Sequence, residues 1–227
     1  MRTLAIGDIH GATVALDALL AVVQPTADDL LVFLGDYVSR GPDTKGAIDR
    51  LIALKQQYRV ICLRGNHEIM MTQSRDSHSE LKNWSNVGGR AALDSYASPG
   101  RAGQLADVPA DHWHFLDTQL LPYFETDTHI FVHANLDANL NLANQSDNYL
   151  YWEFLSRPVH HKSGKVMICG HSSQRSGLPL AWRKTVCIDT AVYADGWLTC
   201  LDVDSRSYWQ ADMLGRTRKG DIQEKDS

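Results

Sequence analysis

Short apolar runs that end in a metal-ligating residue are the feature that most limits what this chain can fold into. Five such runs occur, and each delivers an Asp, a His or an Asn at its carboxyl end. Because ligands bind just beyond the carboxyl ends of parallel strands, five such ends at one edge predict a single metal site. The residues predicted to hold the metal are Asp8, His10, Asp36, Asn66, His133 and His171.

The order of the apolar patterns predicts a mixed α/β (α+β) fold. Strand-like runs at 2–6, 30–34 and 60–63 alternate with helical spacing at 12–23 and 44–56, which is typical of a parallel sheet flanked by helices. The last third of the chain has short strand-like runs separated by turns, which favours antiparallel pairing. We therefore expect a central β-sandwich of two sheets with helices outside.

The domain organisation follows from length and local composition. A chain of 227 residues allows one large domain, which we place at 1–214. The polar segment 74–121, rich in Trp, Gly and His, is predicted to form a helical cap on the substrate side of this domain. Residues 215–227 are polar and charged, and we predict that they form a disordered tail.

The overall composition excludes several classes of protein. With 22 Lys and Arg against 27 Asp and Glu, the net charge is −5, which argues against a protein that binds a nucleic-acid polymer. No apolar run approaches the ~18 residues of a membrane-spanning helix, and no signal peptide is recognisable. The four cysteines form no C-x-x-C pair and read as buried free thiols, so a reducing cytoplasm is expected.

The donor atoms indicate which metal chemistry to expect. Carboxylate and amide oxygens with imidazole nitrogens suit Mn²⁺, Fe or Zn better than Ca²⁺, and we take Mn²⁺ as the first expectation. Six side chains exceed the needs of one ion with an open position, so two divalent ions are predicted. Asp8 and Asp36 neutralise only half of their charge, which leaves a cationic site that attracts phosphate. A bridging water would ionise near neutral pH and attack a phosphoester or phosphoanhydride in line.

Three motifs carry a family resemblance. GDIHG at 7–11, GDYVSRG at 35–41 and GNHE at 65–68 resemble the signatures of the phosphoprotein phosphatase family of calcineurin-like metallophosphoesterases. Within that family the chain is most similar to the bacterial and phage-type protein Ser/Thr phosphatases. The resemblance implies a four-layer architecture, with the central sandwich between two helical layers. It also implies a metal-dependent phosphoric ester hydrolase.

The resemblance assigns roles to individual residues. It implies that Asp8, His10 and Asp36 hold one ion, that Asp36 bridges to the second, and that a metal-bridging hydroxide attacks the phosphate. Asn66, His133 and His171 complete the second ion's ligands. The implied catalytic residues are Asp36, His67 as general acid, and Arg40, which would clamp phosphate oxygens. Arg40, Asn66 and Arg157 are the predicted substrate-binding residues, and Arg175 and Arg90 are further candidates for a second phosphate clamp.

Residues beside and outside the motifs are expected to have structural or surface roles rather than catalytic ones. Glu68 and Arg64 are expected to orient the loop that carries the general acid rather than to contact substrate. Six histidines lie outside the motifs, and of these His160 and His161 are predicted to lie on the surface.

One departure from the family leaves the substrate open. The family's protein phosphatases carry an Asp where this chain has Ser39, and that carboxylate pairs with the catalytic histidine. We expect a dinuclear phosphoprotein (Ser/Thr) phosphatase that acts on a phosphorylated protein or a small phosphate. The alternative is a symmetrical dinucleoside tetraphosphatase, which is similar in lacking this Asp and in continuing with Gly41 and Pro42. No membrane or nucleic-acid partner is expected, and the working expectation for the oligomeric state is a monomer.

Overall fold

The chain forms two β-sheets with an apolar layer between them, as seen in a computed structural model that describes residues 1–225. The strands are β1 (Thr3–Ile6), β2 (Leu30–Phe33), β3 (Arg59–Cys62), β4 (Tyr123–Glu125), β5 (His129–Val132), β6 (Val166–Cys169), β7 (Leu180–Trp182), β8 (Thr185–Cys187), β9 (Asp189–Thr190), β10 (Trp197–Asp202), β11 (Ser207–Ala211) and β12 (Thr217–Asp221). The first sheet has the order β12-β11-β10-β1-β2-β3, with β9 beside β10. The second has the order β4-β5-β6-β8-β7.

The α-helices are short, and most lie in the first half of the chain. They are α1 (Thr13–Val23), α2 (Thr44–Gln57), α3 (Asn66–Gln73), α4 (His78–Trp84), α5 (Arg90–Asp94) and α6 (Ala110–Thr118). Single π-helical turns lie at Ser85–Gly89 and Asn148–Trp152, and 3₁₀ turns at Leu105–Asp107, Leu142–Asn144 and Val192–Ala194. No helix in residues 1–225 is long and apolar enough to cross a membrane.

Strand direction agrees only partly with the sequence prediction. Strands β1, β2 and β3 run parallel as predicted, and β10, β11 and β12 run antiparallel. However, β5, β6 and β8 run parallel to one another, so the prediction of antiparallel pairing is wrong for them. The chain makes long excursions between these strands, and such crossovers are what parallel neighbours require.

The alternation of side chains along the strands builds two apolar layers. In β1, Leu4 and Ile6 face a core shared with α1 and α2, whereas Ala5 faces the second sheet. A third cluster covers the outer face of the second sheet and uses the segment around Leu136 and Leu150. This mixed α/β sandwich confirms the predicted fold class, although short turns rather than long helices form its fourth layer.

The polar C-terminus contains a strand that the sequence analysis missed. Strand β12 pairs with β11 along its whole length, so the prediction of a disordered tail at 215–227 is wrong for Thr217–Asp221. Main-chain pairing holds this edge strand. Arg218 Nε also donates to Gln210 Oε1 at 2.7 Å, and its Cζ lies 4.1 Å from the centroid of the Trp197 ring. The domain therefore extends beyond the predicted boundary at 214, and residues 226–227 lie outside the described residues.

The predicted cap, 74–121, contains α4, α5 and α6. Its buried side chains, among them Trp84 and Phe115, belong to the same apolar core as α1 and α2. Its π-helical turn touches the loop after β2, because the main-chain N–H of Arg40 donates to the carbonyl of Gly88. The segment thus packs into the main core and reaches the carboxyl end of β2.

One buried carboxylate joins the loops that follow β2 and β3. Glu68 accepts main-chain hydrogen bonds from Asp36 and Tyr37 at 2.8 Å, from Val38 at 3.2 Å and from Gly65 at 2.9 Å. Its side chain is fully buried, so each of these N–H groups would otherwise lack a partner. Glu68 therefore orients both loops, in agreement with the role expected for it.

We expect Glu68→Gln to lower the free energy of unfolding by about 2–4 kcal/mol, because an amide places donor hydrogens against backbone N–H groups. Urea denaturation at pH 7 measures the change. The matched control is Glu80→Gln on the partly exposed helix α4, where a much smaller loss is expected. Equal stability of the Glu68 variant and the parent protein would contradict this role.

A second buried carboxylate gives the fold a defined acid sensitivity. Asp29 accepts hydrogen bonds from the Arg2 main chain at 2.8 Å and from its guanidinium at 2.7 Å, and these bonds hold the pKa of Asp29 well below its usual range. Because the folded-state pKa is depressed, the stabilisation is complete above the unfolded pKa of about 3.9 and is lost as the pH falls through the lower folded value.

Asp29→Asn should therefore cost about 1–3 kcal/mol at pH 7, and the difference from the parent protein should shrink below about pH 4. Urea denaturation at pH 7, 3 and 2 tests both statements. Asp17→Asn, which breaks the exposed pair with Arg50, is the control and should have little effect. A difference that grows as the pH falls would show that the sign is wrong.

Candidate active site

The loops after β1, β2, β3, β5 and β6 bring the six predicted ligands to one end of the two sheets. His171 is partly exposed and the other five are buried. His10, Asp36 and His171 have φ values of 46°, 52° and 59°. Non-glycine residues rarely adopt this left-handed conformation, and it persists where surrounding contacts enforce it, often at functional sites.

Asp36 is shared by two clusters of donor atoms. Its Oδ2 lies 3.5 Å from His10 Nε2 and 3.9 Å from His67 Nε2. Its Oδ1 lies 3.4 Å from His133 Nε2, in a second cluster that includes His171. A carboxylate shared in this way has the position expected of a bridging ligand.

Three histidines are fixed so that one ring nitrogen points into the clusters. The far nitrogens of His10 and His133 lie 2.9 Å from the carbonyls of Val38 and Leu34, and that of His171 lies 3.1 Å from the carbonyl of Trp152. A carbonyl only accepts hydrogen bonds, so each far nitrogen carries the proton. The nitrogens that face the clusters therefore present lone pairs, as in metal-binding histidines.

The protonation preferences of these groups fit bound cations. Burial lowers the pKa of His10 and of His171 to about 3 and that of His133 to about 4, so the rings are neutral. The lone pairs of His10 and His133 face Asp36, and Asn66 Oδ1 lies 3.0 Å from His133 Nε2 and 3.1 Å from His171 Nδ1. Acceptors at such distances repel one another unless a cation lies among them. The residues present therefore fit divalent metal ions.

Asp8 lies beside the second cluster. Its carboxylate accepts the main-chain N–H of His171 at 3.1 and 3.3 Å. Burial raises the pKa of Asp8, and Asp189 and Asp36 raise it further. The donor cluster around His10 and Asp36 contains His67 rather than Asp8. The structure therefore brings Asp8 to the site, but through a main-chain contact.

Asp189 is a site residue that the sequence analysis missed. It is buried, lines a cavity together with His10 and Asp36, and accepts hydrogen bonds from the Ser173 hydroxyl and the Ala191 main chain. Burial raises its pKa. The signal was present in the sequence, because Asp189 follows the apolar run of β8 as Asp8 follows that of β1.

Arg40 and His67 lie side by side. Arg40 Nη2 is 3.3 Å from His67 Nε2, and its guanidinium stacks on the Tyr193 ring with Cζ 4.2 Å from the centroid. A guanidinium held by a stack at this place can bind phosphate oxygens in a fixed orientation.

The other ring nitrogen of His67, Nδ1, is buried and has no hydrogen-bond partner within residues 1–225. Burial and the neighbouring His10 and Arg40 lower the pKa of His67. Ser39, which stands where the family carries Asp, accepts a hydrogen bond of 2.8 Å from Trp84 Nε1 instead. The Ser39 hydroxyl therefore bonds Trp84, and no described residue anchors the His67 ring at Nδ1.

The cavity over these residues has a volume of about 610 Å³. His10, Asp36, Arg40, Asn66, His67 and His171 line it, together with Tyr193 and Arg175. The structure does not bring Arg157 to this cavity. Arg157 lines a separate cavity of about 600 Å³ with Asn135 and Glu153, on a segment that leads away from the site. Of the arginines proposed as a second clamp, Arg175 is the one beside the site.

Comparison with known sequences identifies the family. The pattern of the calcineurin-like phosphoesterases matches residues 1–187. The PP2A-like serine/threonine-protein phosphatase PPG1 of Saccharomyces cerevisiae is 37% identical over 94 residues, which are 40% of this chain and 25% of that protein. A proposed serine/threonine-protein phosphatase of Caenorhabditis elegans is 42% identical over 65 residues, 28% of this chain and 18% of that protein. The aligned segments thus span a quarter or less of these relatives.

Solved structures share the fold. A proposed diadenosine tetraphosphatase superposes with a TM-score of 0.67 at 18% identity, covering 97% of this chain and 93% of that one. A cold-active protein tyrosine phosphatase gives 0.63 at 17% identity, covering 96% and 78%. A serine/threonine phosphatase of Saccharomyces cerevisiae with similarity to human PP5 gives 0.57 at 12% identity, covering 100% and 81%.

The family match, the shared fold and the donor clusters around Asp36 agree with one another. The chain belongs to the calcineurin-like phosphoesterases, a family of phosphoric ester hydrolases that use a divalent metal pair.

Proposed function

We propose that this chain is a dinuclear phosphoprotein phosphatase that hydrolyses phosphoserine and phosphothreonine monoesters. The observation that carries the proposal is the position of Asp36 between two donor clusters, with Arg40 beside them. The names of the two sequence relatives support the choice of a phosphoprotein substrate.

Each side chain has a distinct task in this proposal. Asp8, His10 and Asp36 would hold one ion, and Asp36, Asn66, His133 and His171 the other. When bound, the ions supply an activated water and neutralise charge on the phosphate. Arg40 binds the phosphate oxygens, and His67, which lines the cavity beside it, delivers a proton to the leaving oxygen.

We also propose which metal the site binds and in which compartment the protein is found. Mn²⁺ fits two oxygen-rich donor sets with imidazoles, and Fe and Zn are the alternatives. The cysteines Cys62, Cys169, Cys187 and Cys200 are buried free thiols, which supports a reducing cytoplasmic location.

We expect Asp36→Asn and His67→Asn each to lower kcat/KM on a phosphoserine peptide by at least about a hundredfold, since one removes the shared ligand and the other the acid. Phosphate release with added Mn²⁺ measures this, and a chelator should abolish activity until Mn²⁺ is restored. Controls are Asp28→Asn and His114→Asn, which change exposed residues outside the site. Full activity in both site variants would refute the assignment.

A second candidate function is hydrolysis of a dinucleoside polyphosphate. The observation that favours it is that His67 Nδ1 has no partner in the described part of the chain, together with the bond between Ser39 and Trp84. A serine alkoxide must be protonated to leave, whereas a nucleotide phosphate leaves readily without an acid. A weakly oriented His67 is therefore tolerated better by a phosphoanhydride substrate.

Ser39→Asp separates the two functions. The family resemblance implies that a carboxylate at this position pairs with His67, and Asp tolerates the left-handed backbone of Ser39, where φ is 72°. We expect kcat/KM on a phosphoserine peptide to rise about tenfold or more relative to that on a dinucleoside tetraphosphate. Ser39→Ala, which removes the acceptor of the Trp84 bond and adds no carboxylate, is the control and should show no such rise. A parent enzyme with a large preference for the tetraphosphate would instead select the second function.

A further inference from the structure

Two aromatic side chains stand at the mouth of the cavity, and the assigned chemistry does not use them. Trp152 and Phe154 are 39% and 67% exposed, and both line the cavity that holds Asp36 and Arg40. We call the surface formed by Trp152 and Phe154 the aromatic lip. Met70 and Val87 line the same cavity and make its wall apolar at further points.

The aromatic lip is fixed to a predicted metal ligand. The Phe154 ring stacks on the His171 ring with a centroid distance of 4.7 Å and an interplanar angle of 25°. The carbonyl of Trp152 lies 3.1 Å from His171 Nε2, and the main chain of Leu155 donates to the Ser172 hydroxyl at 2.7 Å. The exposed rings are thus held in place at the site rather than left on a free loop.

The position of the lip limits what can lie on it. His171 directs Nδ1 toward the donor cluster, and its ring stacks on Phe154. The His171 side chain therefore separates the lip from the donor cluster where the phosphate is to react. A planar group that stacks there must be joined to the scissile phosphorus through very few bonds. An aromatic ring esterified directly to the phosphate meets this condition, whereas a base separated by a ribose and further phosphates lies farther out.

The chemistry of the site favours the same class of substrate. In hydrolysis of an aryl phosphate, water oxygen bonds to phosphorus as the P–O(aryl) bond breaks, and the bonding pair stays on the phenolic oxygen. The products are inorganic phosphate and a phenol, which takes up the proton. Because a phenol ionises near pH 10, its oxide leaves without full protonation, which suits a site where His67 Nδ1 has no partner among the described residues.

We propose that the aromatic lip is a subsite for the ring of aryl phosphate monoesters, so that the site also accepts phosphotyrosine and binds it through its ring. This inference rests on the proposed phosphomonoesterase function and names a substrate class for the same site.

The test compares two peptides of one sequence, with phosphotyrosine or phosphoserine at the same position, on the full-length protein with Mn²⁺. The measured quantity is the ratio of the two kcat/KM values. Phe154→Ala should lower the aryl-to-alkyl ratio by roughly three- to tenfold, the range expected for loss of one aromatic pair. Phe154→Tyr, which keeps the ring, should retain the ratio, as should the control Leu214→Ala at an exposed apolar residue remote from the cavity.

A binding measurement removes leaving-group effects. Phenylphosphonate and cyclohexylphosphonate are not hydrolysed and differ in ring planarity, so their Kd values from calorimetry report recognition of a flat ring. The parent protein should bind the phenyl compound at least about threefold more tightly, and Phe154→Ala should remove the difference.

Three results would overturn the inference. An equal fall for both peptides in Phe154→Ala would mean that Phe154 only supports His171. Equal binding of the two phosphonates by the parent protein would mean that no ring is recognised. A larger effect of Phe154→Ala on a dinucleoside tetraphosphate than on phosphotyrosine would assign the lip to a nucleobase. Absence of hydrolysis of any phosphomonoester would refute the proposed function, and the phosphonate binding would still report on the lip.

Discussion

The buried carboxylate of Glu68 is the contact on which the site depends. It accepts the main-chain N–H groups of Asp36, Tyr37, Val38 and Gly65, and so fixes the loops after β2 and β3 relative to each other. Asp36 adopts a left-handed backbone within this network. Burial raises the pKa of Glu68, and Asp36 raises it further, whereas the four backbone donors favour the carboxylate. The fold therefore places two acidic groups close together in a dry environment, where divalent cations would offset their repulsion.

The histidines extend the same principle to the other loops. His10 reaches a carbonyl of the loop after β2, His133 reaches one at the end of β2, and His171 reaches the segment of Trp152. Each hydrogen bond sets a tautomer and also ties one loop to another. Site geometry and loop packing are thus one set of contacts, and displacement of a loop would move a ligand. This coupling explains how left-handed backbone at three ligands is maintained.

The sequence predicted the features that depend on local pattern and missed those that depend on distant contacts. The strand-end residues were found because each follows an apolar run, and Asp189 carried the same signal. His161 was predicted on the surface, but it is buried because its ring bonds the Leu140 carbonyl and the Ser163 hydroxyl. Strand β12 has polar side chains and no alternation, so only its pairing with β11 reveals it. The placement of Arg157 away from the site likewise depends on the path of a long loop.

Ser39 shows how one substitution can alter chemistry without altering the framework. The position retains its left-handed backbone, and Trp84 of the 74–121 segment takes up the hydroxyl, so the loop that carries Arg40 stays in place. His67 Nδ1 has no partner among the residues described, while the donor clusters around Asp36 are complete. Such a site keeps its capacity to bind and attack a phosphate but gives weaker assistance to departure of the leaving group. Discrimination among substrates then depends on the stability of the departing oxide and on contacts at the cavity mouth, where Trp152 and Phe154 stand.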